Sequence, residues 1–204
     1  MPDTEAIATW ELGPSGGQSG DDFSDQSSLR NMASVPRLVS VIVQCERYID
    51  AIGFMLGEDS INLTSFTLDP KVGWRDSTVD GPSRVGLLGM HGGPGGKRHE
   101  IHLQDGEFVE QISGKHGTYV DSVKIRTSRK IYPEASVEPG ESSGEAGSAS
   151  IDSGVESAVE QRYGGEGGSV SFSYTAPKGY QIIGICGRAG QLLDALGVVL
   201  CARP

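Results

Sequence analysis

Short apolar runs separated by polar breaks dominate the pattern of this chain. Each run is β-branched or alternates between apolar and polar positions, and Gly, Pro, Ser or Asp residues bound it, which is typical of strands. The runs are LVSVIVQ (38–44), IDAIGFML (49–56), EIHL (100–103), EFVEQI (107–112), VDSVKI (120–125), VSFSY (170–174), QIIGIC (181–186) and LDALGVVL (193–200). Long stretches with a 3.6-residue period are absent from the sequence. The pattern therefore predicts an all-β protein.

One loop that ends in aspartate and leads into an apolar run occurs three times. A shift of 73 residues lays GEFVEQISGKHGTYVDSV on GYQIIGICGRAGQLLDAL and aligns Asp121 with Asp194. A shift of 71 residues aligns Asp50 with Asp121, although Glu46 stands where the later copies have glycine. A second loop repeats as GGQSG (16–20), GGPGG (92–96) and GGEGG (164–168). Small β units cannot cover their own apolar faces, so we expect three sheets packed around one axis.

We expect a single domain over residues 1–204 with two insertions. Residues 57–86 are mixed in character, and one strand is expected there at INLTSFTL (61–68). Residues 131–162 are rich in Ser, Gly and Glu. Such a composition cannot bury enough apolar area to offset its ordering entropy, so this second insertion is predicted to be flexible.

Charge and cysteine content narrow the class of partner and the compartment. The formal net charge is −10 and basic residues do not cluster, which disfavours nucleic acid and anionic membranes as partners. No apolar run approaches the ~20 residues that cross a bilayer, and the start of the chain does not resemble a secretory signal. Three cysteines, Cys45, Cys186 and Cys201, form an odd and sparse set. We expect reduced thiols and a cytoplasmic or nuclear protein.

The sequence gives little support to an enzyme, a cofactor or a metal site. GMHGGPGGKR departs from a phosphate-binding loop because His91 and Arg98 occupy positions that need Gly and Ser or Thr. His91, His99 and His102 are weak candidates for a metal site, because His99 and His102 would point to opposite faces of a strand. We therefore expect a binding protein without cofactor or metal.

The two repeated loops resemble those of the jacalin-related lectins, whose fold is the β-prism I. The matching stretches follow the family's order and are GPSGGQSGDDF (13–23), GGPGGKRHEIHLQDGEF (92–108) and GRAGQLLDALG (187–197). The resemblance implies three Greek-key-like four-stranded sheets around a pseudo-threefold axis. It also implies metal-independent sugar binding where a G-x-x-x-D loop meets a glycine loop. An ionised carboxylate there can accept hydrogen bonds from two sugar hydroxyls.

Carried over position by position, the resemblance implies sites of unequal quality. The first site would use Gly20, Gly190, Gln191, Leu192 and Asp194. The second site would use Gly168, Gly117, Thr118, Tyr119 and Asp121. A third, degraded site would comprise Gly96, Arg47, Tyr48 and Asp50, because a glutamate crowds its loop and adds charge beside the aspartate. One departure from the family is Ser19, which replaces a glycine of the first loop and is expected to stiffen it.

The resemblance also indicates a sugar class and leaves other interpretations open. The family's galactose-binding branch depends on a chain cut before the first glycine loop, whereas residues 1–15 here run into the loop. We therefore expect glycans or glycoproteins of the mannose or glucose type as partners. Because a single sugar contact is weak, several sites on one chain or a homo-oligomer would raise the avidity for a glycan. The alternatives are an aspartate that only stabilises its own turn, an Asp121 site blocked by Glu166 or the acidic insertion, and a β-prism interaction module that has lost sugar binding.

Overall fold

A computed structural model describes residues 7–32, 34–57, 66–69, 73–76, 86–129, 131–132 and 162–204. Its strands within these ranges are β1 (Thr9–Gly16), β2 (Asp21–Ser24), β3 (Arg37–Cys45), β4 (Ile49–Gly57), β5 (Phe66–Asp69), β6 (Gly73–Asp76), β7 (Gly86–Gly92), β8 (Lys97–His102), β9 (Val109–His116), β10 (Val120–Thr127), β11 (Ile131–Tyr132), β12 (Tyr163–Gly164), β13 (Val170–Thr175), β14 (Tyr180–Ala189) and β15 (Leu193–Ala202). One short helix, α1 (Gln26–Arg30), follows β2.

Three sheets repeat the same strand arrangement, which confirms the predicted all-β prism. Sheet I has the order β1-β15-β14-β2, and sheet II has the order β7-β4-β3-β8. In sheet III the central strands β10 and β9 are flanked by β11 and β12 on one side and by β13 on the other. Each sheet has a central antiparallel hairpin, and a glycine loop joins the two strands that flank it. The glycine loop must therefore cross the tip of the hairpin.

Sheet III differs from the other two because its outer strand is split. Ile131–Tyr132 pairs with the end of β10, whereas Tyr163–Gly164 pairs with its beginning. The first two residues of the expected 131–162 insertion thus belong to the sheet, and β12 begins directly after its last residue, while residues 133–161 lie outside the described residues. In the other insertion, β5 begins at Phe66 and pairs with β6, and residues 61–65 of the expected strand also lie outside them.

The inner faces of the three sheets meet in one apolar core. Its fully buried members include Phe54 from sheet II, Ile112 from sheet III and Ile182 from sheet I, and Leu29 of α1 joins them. Burying each such side chain contributes about 1.5–3 kcal/mol relative to an exposed position. A shared core explains how three sheets, each too small to be stable alone, hold their hairpin tips in fixed positions.

The cysteines are part of this apolar interior. Cys45, Cys186 and Cys201 are free and buried. Burial raises the pKa of Cys186 to about 12 and that of Cys201 to about 11, so neither is a thiolate at neutral pH. Among the described residues, no helix has the length and apolar character needed to span a membrane.

Candidate functional site

Each hairpin tip meets the glycine loop of its own sheet in the same way. The second glycine of each loop donates a backbone hydrogen bond to the aspartate carbonyl: Gly17 to Asp194 at 2.8 Å, Gly93 to Asp50 at 3.0 Å and Gly165 to Asp121 at 3.0 Å. We call each such meeting a loop pair and name it by its aspartate. The three loop pairs are therefore built on one backbone plan.

The last glycine of each loop lies directly against the aspartate carboxylate. Gly20, Gly96 and Gly168 have φ values of +71°, +71° and +80°, a conformation that favours glycine. A Cβ on these residues would lie 2.6, 2.5 and 2.9 Å from the Oδ2 atoms of Asp194, Asp50 and Asp121, respectively. A side chain at any of these three positions would collide with the carboxylate and with the backbone of the hairpin, so only glycine lets the loop come this close to the aspartate.

The structure brings together the residues that the sequence assigned to each site. Gly20 meets Asp194, Gly168 meets Asp121 and Gly96 meets Asp50. The remaining predicted residues form the hairpin tips that lead to these aspartates: Gly190, Gln191 and Leu192; Gly117, Thr118 and Tyr119; and Arg47 and Tyr48. In the last tip Glu46 takes the place of the glycine, as the alignment of the repeats predicts. The sugar-binding roles of these residues stay predictions.

The three loop pairs also contact one another in a ring. A Cβ on Gly17 would lie 2.0 Å from the carbonyl oxygen of Thr118, in the tip of sheet III. The corresponding distances are 2.2 Å from Gly93 to Gln191 and 2.4 Å from Gly165 to Arg47. Each glycine loop thus packs against the hairpin tip of a neighbouring sheet, and all three loop pairs lie at one end of the prism. The second glycine of every GG pair makes this contact. The repeated GG pairs are visible in the sequence, but their contact with a neighbouring sheet was not predicted from it.

Aromatic side chains occupy two of the three tips. The rings of Tyr48 and Tyr119 pack edge to face with centroids 5.6 Å apart. The Arg47 guanidinium lies 5.4 Å from the centre of the Tyr48 ring. The contact between the two tyrosine rings joins the tips of sheets II and III and restricts the orientation of Tyr119 beside Asp121.

Arg188 braces the Asp194 loop pair. Its Nη2 donates to the Gly20 carbonyl at 2.7 Å, its Nε donates to the Ser19 carbonyl at 3.0 Å, and its Nη1 pairs with Asp22 at 2.5 Å. Burial raises the pKa of the Asp194 carboxyl, while the Arg188 charge and the Gly190 N–H act in the opposite direction. Arg188 was not among the site residues predicted from the sequence. The equivalent positions of the other repeats hold Lys115 and Gln44, and this difference between the repeats marks Arg188 in the sequence.

The Asp50 loop pair has the opposite electrostatic setting. Burial raises the pKa of Asp50, the backbone N–H of Glu46 lowers it, and the Glu46 carboxylate raises it again. Asp50 is half-buried, whereas Asp194 and Asp121 are buried. A second carboxylate at this tip disfavours an ionised acceptor for neutral hydroxyl groups.

The first glycine loop departs from the other two at Ser19. At the equivalent positions a Cβ on Gly95 would lie 2.2 Å from Asp50 Oδ1, and a Cβ on Gly167 would lie 2.2 Å from Asp121 Oδ1. Ser19 carries a Cβ, so the carboxylate and loop of the Asp194 pair cannot have the arrangement found in those two pairs. The carboxylate of Asp194 is therefore held differently from its two counterparts.

The histidines considered for a metal site lie in separate surroundings. The Nε2 of His91 is 2.8 Å from Oδ1 of the buried Asp25. The His99 ring packs against Tyr163 with centroids 5.1 Å apart, and the largely exposed His102 lies on the other face of β8. Among the described residues, no group of three or more His, Cys, Asp or Glu side chains could hold a metal ion.

The sequence of this chain is similar to those of known lectins. The family model described as "Jacalin-like lectin domain" matches residues 12–155 and 156–199. Horcolin of Hordeum vulgare is 26% identical over 194 residues, which cover 92% of this chain and 93% of horcolin.

Solved structures with the same fold include three plant lectins. Malaysian banana lectin is 20% identical with a TM-score of 0.59, and the match covers 96% of this chain and 100% of that one. AcmJRL, a mannose-binding jacalin-related lectin from Ananas comosus, is 22% identical with a TM-score of 0.59 and coverage of 96% and 99%. Artocarpin in complex with mannotriose is 18% identical with a TM-score of 0.59 and coverage of 96% and 97%.

Proposed function

Because the chain belongs to the jacalin-like lectin family, we propose that it binds mannose- or glucose-type glycans without metal through the Asp194 loop pair. The observation that supports this proposal most is the buried Asp194 carboxylate held directly against Gly20, whose lack of a side chain lets the glycine loop approach the carboxylate. A pyranose presents adjacent hydroxyls in fixed geometry, and one carboxylate can accept from two of them. The backbone N–H groups of Gln191 and Leu192 would donate to the same sugar oxygens.

The Asp121 loop pair is proposed as a second site on the same grounds. Its aspartate is buried and Gly168 abuts the carboxylate. Gly117, unlike Glu46 in the Asp50 loop pair, places no side chain beside the aspartate. Tyr119 would offer a ring to the pyranose, and its packing against Tyr48 supports a fixed orientation.

The Asp50 loop pair is proposed not to bind neutral sugar. Glu46 adds both bulk and negative charge to the tip, and its carboxylate adds to the rise in the Asp50 pKa that burial causes. The protein would therefore have two unequal sites for glycans or glycoproteins at one end of the prism. Two sites per chain, or a homo-oligomer, would raise the avidity of weak single contacts.

The proposal includes a reducing location, cytoplasmic or nuclear, and it involves neither a catalytic step nor a cofactor. The free, buried thiols of Cys45, Cys186 and Cys201 support such a location, because disulfides form mainly in oxidising compartments.

A glycan array followed by calorimetry with methyl α-D-mannopyranoside tests the proposal. We expect retention of mannose- or glucose-terminated glycans in the presence of EDTA, and two sites per chain. Asp194→Ala should abolish measurable binding at its own site, since each charged hydrogen bond contributes ~1.5–3 kcal/mol. Asp121→Ala should remove the other site, and Asp50→Ala is the matched control that should remove none. Binding that survives the Asp194→Ala and Asp121→Ala double substitution would overturn the proposal.

A further inference from the structure

A cleft of about 880 Å³ lies between sheets II and III beside the Asp50 loop pair. One wall comes from β3 and β8, and the other from the segment 162–164 at the split edge of sheet III. Gly96, the glycine that abuts Asp50, lines this cleft. The cleft is therefore continuous with the Asp50 loop pair, which we propose does not bind neutral sugar. His99 and Tyr163 supply an aromatic wall of the kind against which a sugar ring packs.

Positive charge converges on this cleft. Lys97 and Arg162 line it, and Glu46 is the single acidic residue among the described residues that line it. Within the described ranges neither Lys97 nor Arg162 forms an ion pair, whereas Arg188 and Arg203 pair with carboxylates. In a chain whose formal net charge is −10, two cations without a carboxylate partner among the described residues of one cleft favour an anionic ligand.

A second cavity, of about 150 Å³, shares Arg162 with the cleft and lies against strands of sheet III. Lys115, Lys124 and Ser122 also line it. Ser122 is only 1% exposed, and its buried Oγ has no hydrogen-bond partner among the described residues. A buried hydroxyl without a partner costs about 1–3 kcal/mol, so a group that hydrogen-bonds it would be stabilised there. The cavity thus combines cations with an unused donor, which suits a carboxylate or a sulfate.

We propose that Arg162 is the centre of a binding site for acidic glycans. The anionic group, a sugar carboxylate or sulfate, occupies the small cavity between Arg162, Lys115 and Ser122, and its sugar ring lies in the cleft beside Lys97. The site uses residues outside the Asp194 and Asp121 loop pairs, although the choice of a glycan as ligand rests on the proposed function. Arg162 suits this role because its planar guanidinium can form two parallel hydrogen bonds with one anionic group.

Calorimetry on the full chain with three matched ligands tests this site. The ligands are methyl α-D-mannopyranoside, its 6-sulfate, and the corresponding uronate with a carboxylate at C6. We expect the sulfate or the uronate to bind about tenfold more tightly than the neutral glycoside at low salt, and the gain to shrink as salt is added. A gain with only one of the two identifies the anionic group and supports the site.

Substitutions assign that gain to named residues. Arg162→Gln should remove it and leave the neutral glycoside unaffected, Arg162→Lys should restore part of it, and Ser122→Ala should reduce it about threefold. Lys97→Gln, on an exposed side chain, should weaken it even if Arg162→Gln does not fold. Lys178→Gln makes the same charge change at the far end of β14 and is the control that should keep the gain.

The outcomes separate this inference from the proposed function. Equal affinity for neutral and acidic ligands would overturn the inference, whether or not neutral sugar binds at Asp194. Tighter acidic binding that Arg162→Gln leaves intact would overturn it as well. Arg162-dependent binding of acidic ligands without any binding of the neutral glycoside would support the inference and overturn the proposed function instead.

Discussion

The Asp194 and Asp50 loop pairs share a backbone plan but differ in the charge beside the carboxylate and in the residue before the facing glycine, which is Ser19 in one pair and Gly95 in the other. A Cβ on the facing glycine would lie 2.6 Å from one carboxylate and 2.5 Å from the other, and the same backbone hydrogen bond joins each glycine loop to its aspartate. Burial raises both pKa values, yet Arg188 opposes this rise at Asp194 and the Glu46 carboxylate adds to it at Asp50. The fold supplies the backbone plan three times, and we propose that the charge of neighbouring side chains decides which copies bind sugar.

The largest expected effect comes from exchanging the residue that distinguishes the two loop pairs. A Cβ on Gly190 would lie 3.7 Å from Asp194 Oδ2 and from the Gly20 Cα, so a longer side chain would fill the space beside the carboxylate. Gly190→Glu should therefore abolish binding of methyl α-D-mannopyranoside at Asp194. Glu46→Gly should raise the number of sites per chain from two to three. Calorimetric stoichiometry measures both changes.

Gly190→Ala is the control for this exchange, because a Cβ at 3.7 Å is in ordinary contact and should be tolerated. If Glu46→Gly folds normally and still gives two sites, the difference between the loop pairs lies elsewhere than in Glu46. If Gly190→Glu keeps its sugar, the proposed role of the tip glycine is wrong.

A smaller effect is expected from removing the brace on the first glycine loop. Arg188→Gln removes two hydrogen bonds to the loop carbonyls and a positive charge beside Asp194, and it should weaken sugar binding about tenfold. Calorimetry at neutral pH measures this change, and Lys178→Gln, remote from the loops, is the matched control. An unchanged affinity would show that Ser19 and Gly20 hold the loop in place without Arg188.

The same substitution should change the pH dependence of binding. Sugar binding needs the ionised carboxylate, and burial places the Asp194 pKa above its ordinary value of 3.8. Binding should thus be present above this raised pKa and should be lost as the pH falls through it, at a higher pH than for an exposed aspartate. In Arg188→Gln the loss should begin at a still higher pH, since the opposing charge is gone. A pH series by calorimetry would contradict this if the two curves coincide.

The smallest effect is expected from replacing residues 133–161, which lie outside the described residues, by a short Gly/Ser linker. Their Ser-, Gly- and Glu-rich composition predicts that they contribute little to the core. The melting temperature and the number of sugar sites should stay nearly unchanged, as thermal unfolding and calorimetry would show. A fall of about ten degrees or more would show that the segment is packed. A third site gained by the deletion would show that the insertion, rather than Glu46, blocks the Asp50 loop pair.

Local repetition made the loop pairs predictable from the sequence. The apolar alternation placed the strands, and the shifts of 73 and 71 residues assigned Asp194, Asp121 and Asp50 to equivalent tips. The glycine opposite each aspartate was implied by the resemblance to the jacalin-related lectins. The structure gives the physical reason: a glycine loop that joins the two flanking strands must cross the tip between them.

Contacts between sheets and along long side chains could not be predicted in this way. Arg188 reaches the carbonyls of a loop about 170 residues earlier, and no periodicity records that reach. The first half of the split outer strand of sheet III, Ile131–Tyr132, was assigned to an insertion, and the second half, Tyr163–Gly164, was not predicted, because two-residue strands leave no alternating pattern. The cavity around Arg162 depends on how sheets II and III pack, and Arg162 belongs to a stretch whose composition predicts flexibility.

The ring in which Gly17, Gly93 and Gly165 pack against neighbouring tips restricts how this surface can diversify. A longer glycine loop, or any side chain at these glycines, would collide with the backbone of another sheet. Insertions and deletions are thus excluded from the surface formed by the three loop pairs and have to occur elsewhere in the chain, as the two expected insertions at 57–86 and 131–162 do. New specificity can arise mainly by point substitution at tip positions such as Arg47, Thr118 and Gln191, which change the chemistry of the surface while its backbone stays constant.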